Sequence, residues 1–129
     1  MSLDVGFLRP DGTLDVRFRF DEDGTYEFLD PWLRQMRQSI GKYVDLYGDA
    51  TFDNSSGLTM LIESVRRARV AAEGQPRTWV MHVRDQLRPE RKDLYRKMDR
   101  RRLIASIDRL AVLLQEAADQ DKSLVFQGD

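Results

Sequence analysis

Cysteine is absent from this 129-residue chain, which excludes disulfides, zinc–thiolate and iron–sulfur ligation, and a thiol nucleophile. Histidine occurs once, as His82. Zinc and non-haem iron centres normally draw on several imidazoles, so no metal is expected. Long apolar runs are also missing: none approaches the ~18 residues a membrane span needs. The charged N-terminal stretch does not read as a secretory leader. Eight glycines stand singly at turn-like places, leaving no phosphate loop of the Walker or Rossmann spacing and no Gly-x-Ser-x-Gly elbow. These absences predict a soluble, cytoplasmic chain with no cofactor, no membrane association and none of the common catalytic kits.

What is present suffices for a core. Hydrophobic residues make up 41% and aromatics 9%, and a chain of this length buries about two thirds of its unfolded surface. One domain spanning 1–129 is therefore expected. Charged residues reach 33%, above the usual quarter. The 21 basic and 22 acidic residues nearly cancel, but they are not evenly spread. Between Arg66 and Arg102 lie 13 basic and 5 acidic residues, a net of +8, and the rest of the chain carries −9. Such blocks either neutralise one another on folding or leave a polarised surface for a charged partner.

Periodicity supplies the elements. Leu3, Val5 and Phe7, then Leu14, Val16, Phe18 and Phe20, alternate with polar residues or glycine at a period of two. Asp11-Gly12 and Asp23-Gly24 are hairpin-type turn pairs. With Tyr26 and Phe28 as a third strand, the start of the chain reads as an antiparallel β-meander. Asp30-Pro31 resembles an N-cap followed by proline at the first helical position, predicting a helix to Ile40 that Gly41 stops. The stretch from Lys42 to Tyr47 reads as extended. Ser55 or Ser56 is the expected cap of a second helix ending near Glu73, with Leu58, Leu61, Ile62, Val65, Ala68 and Ala72 as its stripe. Thr78 to Val83 reads as a buried strand, and Arg84 to Lys97 as polar and partly helical at best. A third helix from about Asp99 to Ala118 carries Leu103, Ile107, Leu110, Leu114 and Ala117, and Leu124 to Phe126 forms a last short strand. The expected fold is α+β in two layers, with about three helices packed on the N-terminal sheet.

Few residues form a chemical constellation. Asp21, Asp23 and Gly24 match part of a calcium loop, but position 1 would be Arg19, which repels a cation. A hairpin turn accounts for the pair. His82 has the titration range of a general base, yet nothing in the sequence places a carboxylate or nucleophile beside it, so a small hydrolase built on His82 is the least favoured reading. The distinctive feature is basic: nine cations between residues 84 and 102, against four acids. Within it, Arg96, Lys97, Arg100, Arg101 and Arg102 are candidate binding residues, because the arginine fork donates paired hydrogen bonds to oxyanions. Tyr95 inside the run, with Tyr43 and Tyr47, adds the aromatic type enriched at binding hot spots. The leading expectation is a non-enzymatic protein-binding module of the adaptor or toxin-neutralising, bacterial type. The alternative is nucleic-acid binding through the 84–102 segment; against it stands a sequence pI of 5.9.

Overall fold

The computed structural model describes residues 3–21, 23–45, 48–86 and 92–128. The element order is β1 (Leu3–Leu8), β2 (Leu14–Phe20), α1 (Thr25–Ile40), β3 (Asp49–Phe52), α2 (Leu58–Glu73), β4 (Thr78–Gln86), β5 (Lys92–Asp99), α3 (Arg100–Asp119) and β6 (Leu124–Gln127). The fold is α+β, as the sequence predicts, with three helices and two antiparallel sheets. Four strands form one sheet in the order β2-β1-β6-β3, and β4 and β5 pair with each other as a separate two-stranded ribbon.

The first hairpin follows from its alternation. Leu3 faces Phe20 and Val5 faces Phe18 across β1 and β2, which puts all four side chains into the core. Gly12 takes the left-handed conformation at the turn (φ 88°), and Asp11 Oδ1 accepts the Thr13 N–H at 2.9 Å. The register shifts between Val5 and Gly6. There a side chain would stand 2.0 Å from the Asp15 carbonyl oxygen, so this irregularity requires glycine.

The C-terminal strand β6 inserts between β1 and β3, pairing Val5 with Phe126 and Phe52 with Leu124. It thereby closes the sheet over a core containing the Phe52 and Phe126 rings, 5.5 Å apart and edge to face. The helical layer covers this face. From α3 come the buried Leu103, Ile107, Leu110, Leu114 and Ala117, and from α2 Leu58, Leu61, Val65, Ala68 and Ala72. Both stripes follow the predicted helical period, except that Ile62 of the expected α2 stripe is only half-buried.

Several local expectations are corrected. Tyr26 and Phe28 belong to α1 and not to a third meander strand. Gly24 (φ 90°) turns the chain into the helix, and Asp23 Oδ1 accepts the Thr25 N–H at 3.0 Å. Buried Tyr26, Leu29, Leu33 and Met36 form a helical stripe that overrides the short alternation. Asp30 is therefore not an N-cap. Pro31 lies inside α1, where it lacks an N–H for the helical ladder.

Residues 42–45 join no ladder. They are fixed by side chains instead: Lys42 Nζ donates to the Thr51 carbonyl at 2.7 Å, and Tyr26 donates to the Val44 carbonyl at 2.5 Å. Before α2 the capping position is Gly57 with no side-chain cap bond. Ser55 instead bonds Asp53 in the preceding turn. Of the segment from Arg84 to Lys97, expected to be partly helical at best, residues 84–86 continue β4 and residues 92–97 belong to β5, and 87–91 lie outside the described residues. Trp79 and Met81 on β4 are only half-buried and Val80 is exposed, so β4 is not a core strand.

Among the described residues no helix is long and apolar enough to cross a membrane. The Leu110 side chain, 1% exposed in the middle of α3, is the critical test of the packing. Leu110→Ala is expected to lower unfolding free energy in urea by about 2–5 kcal/mol. A loss below about 1 kcal/mol would show that this stripe is not the core.

Candidate binding surface

The β4–β5 ribbon sets the geometry of the basic segment. Its register pairs Trp79 with Met98, Val80 with Lys97, Met81 with Arg96 and His82 with Tyr95. Directly opposed residues share a face, and faces alternate along each strand. Trp79, Met81, Arg96 and Met98 therefore lie on the inner face, and Val80, His82, Tyr95 and Lys97 on the outer. The burial follows this division. Met98 is buried and Trp79 packs edge-on against Phe28 of α1 at 6.1 Å. Outside, Val80 is 65% exposed and Tyr95 62%, with His82 and Tyr95 ring centres 5.3 Å apart.

The start of α3 continues this surface. Asp99 is the N-cap: its Oδ1 accepts the Arg102 N–H at 3.1 Å. That bond, helped by the Arg101 N–H and the charges of Arg102 and Arg77, holds the Asp99 carboxyl below the usual carboxylate value. Arg100, Arg101 and Arg102 then form the first turn, which holds no acidic residue. Cations there oppose the helix dipole, whose positive end lies at the N-terminus. Arg100 is engaged structurally, donating from Nη1 to the Gln75 carbonyl at 3.0 Å. Arg101 and Arg102 are exposed.

Ion pairing resolves the charge asymmetry. The front of the basic block is neutralised locally: Arg66 and Arg67 pair with Glu63, and Arg69 pairs with Glu73 and with Asp108 (2.6 Å). Arg9, Arg17, Arg19 and Arg34 are likewise paired with acids. Among the described residues, Arg96, Lys97, Arg101 and Arg102 make no ion pair. Of the rear of the block, Arg96 and Lys97 on the ribbon and Arg101 and Arg102 on the first turn of α3 are thus cations left without an ion pair among the described residues.

The two remaining candidates are placed elsewhere. The Tyr43 hydroxyl donates to Asp30 Oδ1 and lies 3.1 Å from the Tyr26 hydroxyl. The Arg34 and Arg37 guanidiniums lie over its ring at 5.8 and 5.5 Å. Burial, then the bond to Asp30, pushes the Tyr43 hydroxyl pKa up; burial does the same to Tyr26. This network fastens residues 42–45 to α1, and none of its contacts involves the ribbon. Tyr47 lies outside the described residues, as do Arg88 and Arg91.

The structure also brings in residues that the sequence does not single out. Asp23 and Thr25, from the turn before α1 and its first residue, line a cleft with Arg96, Lys97, Met98, Asp99, Arg102 and Leu103. Gly24 makes this approach possible, since a side chain there would stand 2.5 Å from Met98 Sδ. No sequence signal joins the Asp23-Gly24-Thr25 turn to this segment, because only tertiary packing brings the two together. No group of three or more His, Asp or Glu among the described residues is placed to hold a metal ion.

No protein-family model matches the chain, and neither a curated protein nor a solved structure matches it.

The charge arrangement makes a stability prediction. Arg101→Glu replaces a cation that has no ion pair among the described residues with the sign the dipole favours at the first turn, so the variant is expected to be more stable than the parent. The gain should be about 0.5–1 kcal/mol in denaturant melts at low salt and shrink as salt is added. A loss of stability would show that Arg101 has a structural partner.

Proposed function

We propose that the chain is a non-enzymatic protein-binding module whose working surface is the β4–β5 ribbon with the first turn of α3. Its partner in this reading is a protein with an acidic face. The observation that carries it is the set of cations that make no ion pair among the described residues: Lys97 on the outer face with the exposed Tyr95 and Val80, Arg96 on the inner face, and Arg101 and Arg102 on the first turn of α3. Tyrosine and arginine are over-represented among residues that dominate protein interfaces. Unpaired rim charges steer a complementary surface into register and speed encounter. An adaptor or a toxin-neutralising protein acting in the cytoplasm fits such a surface.

A second reading rests on the shape of the same element. A two-stranded ribbon fits the major groove of DNA, and Tyr95 has an exposed ring on which a base can stack. Against it, the chain has a net charge of −1, whereas dedicated nucleic-acid binders carry a dominant basic footprint.

The two readings separate in fluorescence anisotropy with labelled polyglutamate and labelled single- and double-stranded oligonucleotides. Polyglutamate is expected to bind, and the Lys97→Gln, Arg101→Gln, Arg102→Gln triple variant to weaken it mainly through the association rate, with little loss of thermal stability. Oligonucleotide binding should be feeble at physiological salt. Submicromolar oligonucleotide binding that the triple variant abolishes would overturn the protein-partner reading. Its logarithmic salt slope would be about −0.7 to −0.9 per phosphate contacted. Failure of polyglutamate to bind at low salt would count against a charge-driven surface altogether.

A further inference from the structure

We infer that the cleft between the start of α1 and the β5–α3 junction is an anchor pocket for one carboxylate on an aliphatic stem, presented by the partner as a glutamate side chain. This rests on the protein-partner reading and goes beyond it, because it names the group that is gripped. The cleft encloses about 240 Å³, below the ~300–1,000 Å³ of pockets for drug-sized ligands and suited to a single side chain. It has apolar lining: Met98 and Leu103 border it and are themselves largely buried.

Its lining also carries three cations and two carboxylates. Arg96, Lys97 and Arg102 all line the cleft, and none of them makes an ion pair among the described residues. The two carboxylates on its wall form no ion pair with these cations among the described residues, although the Asp99 charge is felt by Arg102. Asp23 Oδ1 accepts the Thr25 N–H at 3.0 Å, and Asp99 Oδ1 accepts the Arg102 N–H at 3.1 Å, so each is turned to backbone at the start of its own helix. An incoming carboxylate would meet guanidiniums able to bind it through two parallel hydrogen bonds. Its methylenes would lie against Met98 and Leu103. A bare phosphate uses only the first half of this arrangement, and a neutral amide isostere only the second.

The test is an NMR titration of the ¹⁵N-labelled full chain with N-acetyl-glutamate amide, N-acetyl-glutamine amide, a peptide whose only carboxylate is its C-terminus, and inorganic phosphate. The glutamate probe is expected to shift amides of residues 23–25 and 98–103 saturably, and the glutamine probe to leave them unmoved. Arg96→Gln and Arg102→Gln should each weaken the glutamate probe about tenfold or more, as loss of a charge-assisted hydrogen bond does. Arg109→Gln, on an exposed turn further along α3, should leave it unchanged.

Equal response to glutamine, or shifts confined to Val80, His82 and Tyr95, would overturn the pocket. So would phosphate binding as tightly as glutamate. Tighter binding of the C-terminal carboxylate would overturn the side-chain assignment and make a chain end the anchored group. If the pocket fails while polyglutamate still depends on Lys97 and Arg101, the broader surface reading stands without it.

Discussion

The contact of the β4–β5 ribbon with α1 is the constraint on which this surface depends. A two-stranded ribbon alone is marginal in water, because neither of its faces is covered. Here the covering is asymmetric: Met98 is buried against the Gly24 turn, and Trp79 meets Phe28. That contact fixes which face is turned outward, and hence that Tyr95, Lys97, His82 and Val80 face solvent. The left-handed Gly24 serves two ends at once, starting α1 and letting β5 approach without the obstruction of a side chain.

Charge is arranged with the opposite logic in the two parts of the basic block. On α2 it supports the fold, since Arg66, Arg67 and Arg69 answer carboxylates on α2 and α3. At the start of α3 it works against the fold at Arg101 and Arg102, which occupy the turn where the dipole favours acids, while Arg100 is held by the Gln75 carbonyl. Asp99 compensates in part, by capping and by its own charge. Groups placed against local stability are a usual mark of a surface kept for binding.

Much of the fold was legible because long patterns are robust. The α3 stripe from Leu103 to Ala117 and the α2 stripe from Leu58 to Ala72 each extend over several turns, and tertiary packing reinforces them. The β1–β2 hairpin was legible from strict alternation around Asp11-Gly12. Short signals failed where a longer one ran through them. Tyr26 and Phe28 alternate for three residues but join a helical stripe that reaches Met36. Asp30-Pro31 imitates a helix start, although Gly24 had already made the turn. β5 was hidden because its sequence is largely polar; of the side chains described on it, Tyr95 and Lys97 are exposed and Met98 is buried. Of the site, the basic residues could be read from the sequence. Their pairing state could be read only in part: Glu63 and Arg67 stand at the i,i+4 spacing of the predicted helix, whereas Asp108 reaches Arg69 only through the packing of α2 on α3.

The claim that the ribbon and the first turn of α3 form the working surface is tested most directly by amide hydrogen exchange with and without saturating polyglutamate. The account predicts added protection in β4, β5 and residues 100–103, with β1, β3 and β6 unchanged, since a ribbon of low intrinsic stability gains most from a bound partner. Protection gained instead on the four-stranded sheet, or on α2, would contradict it.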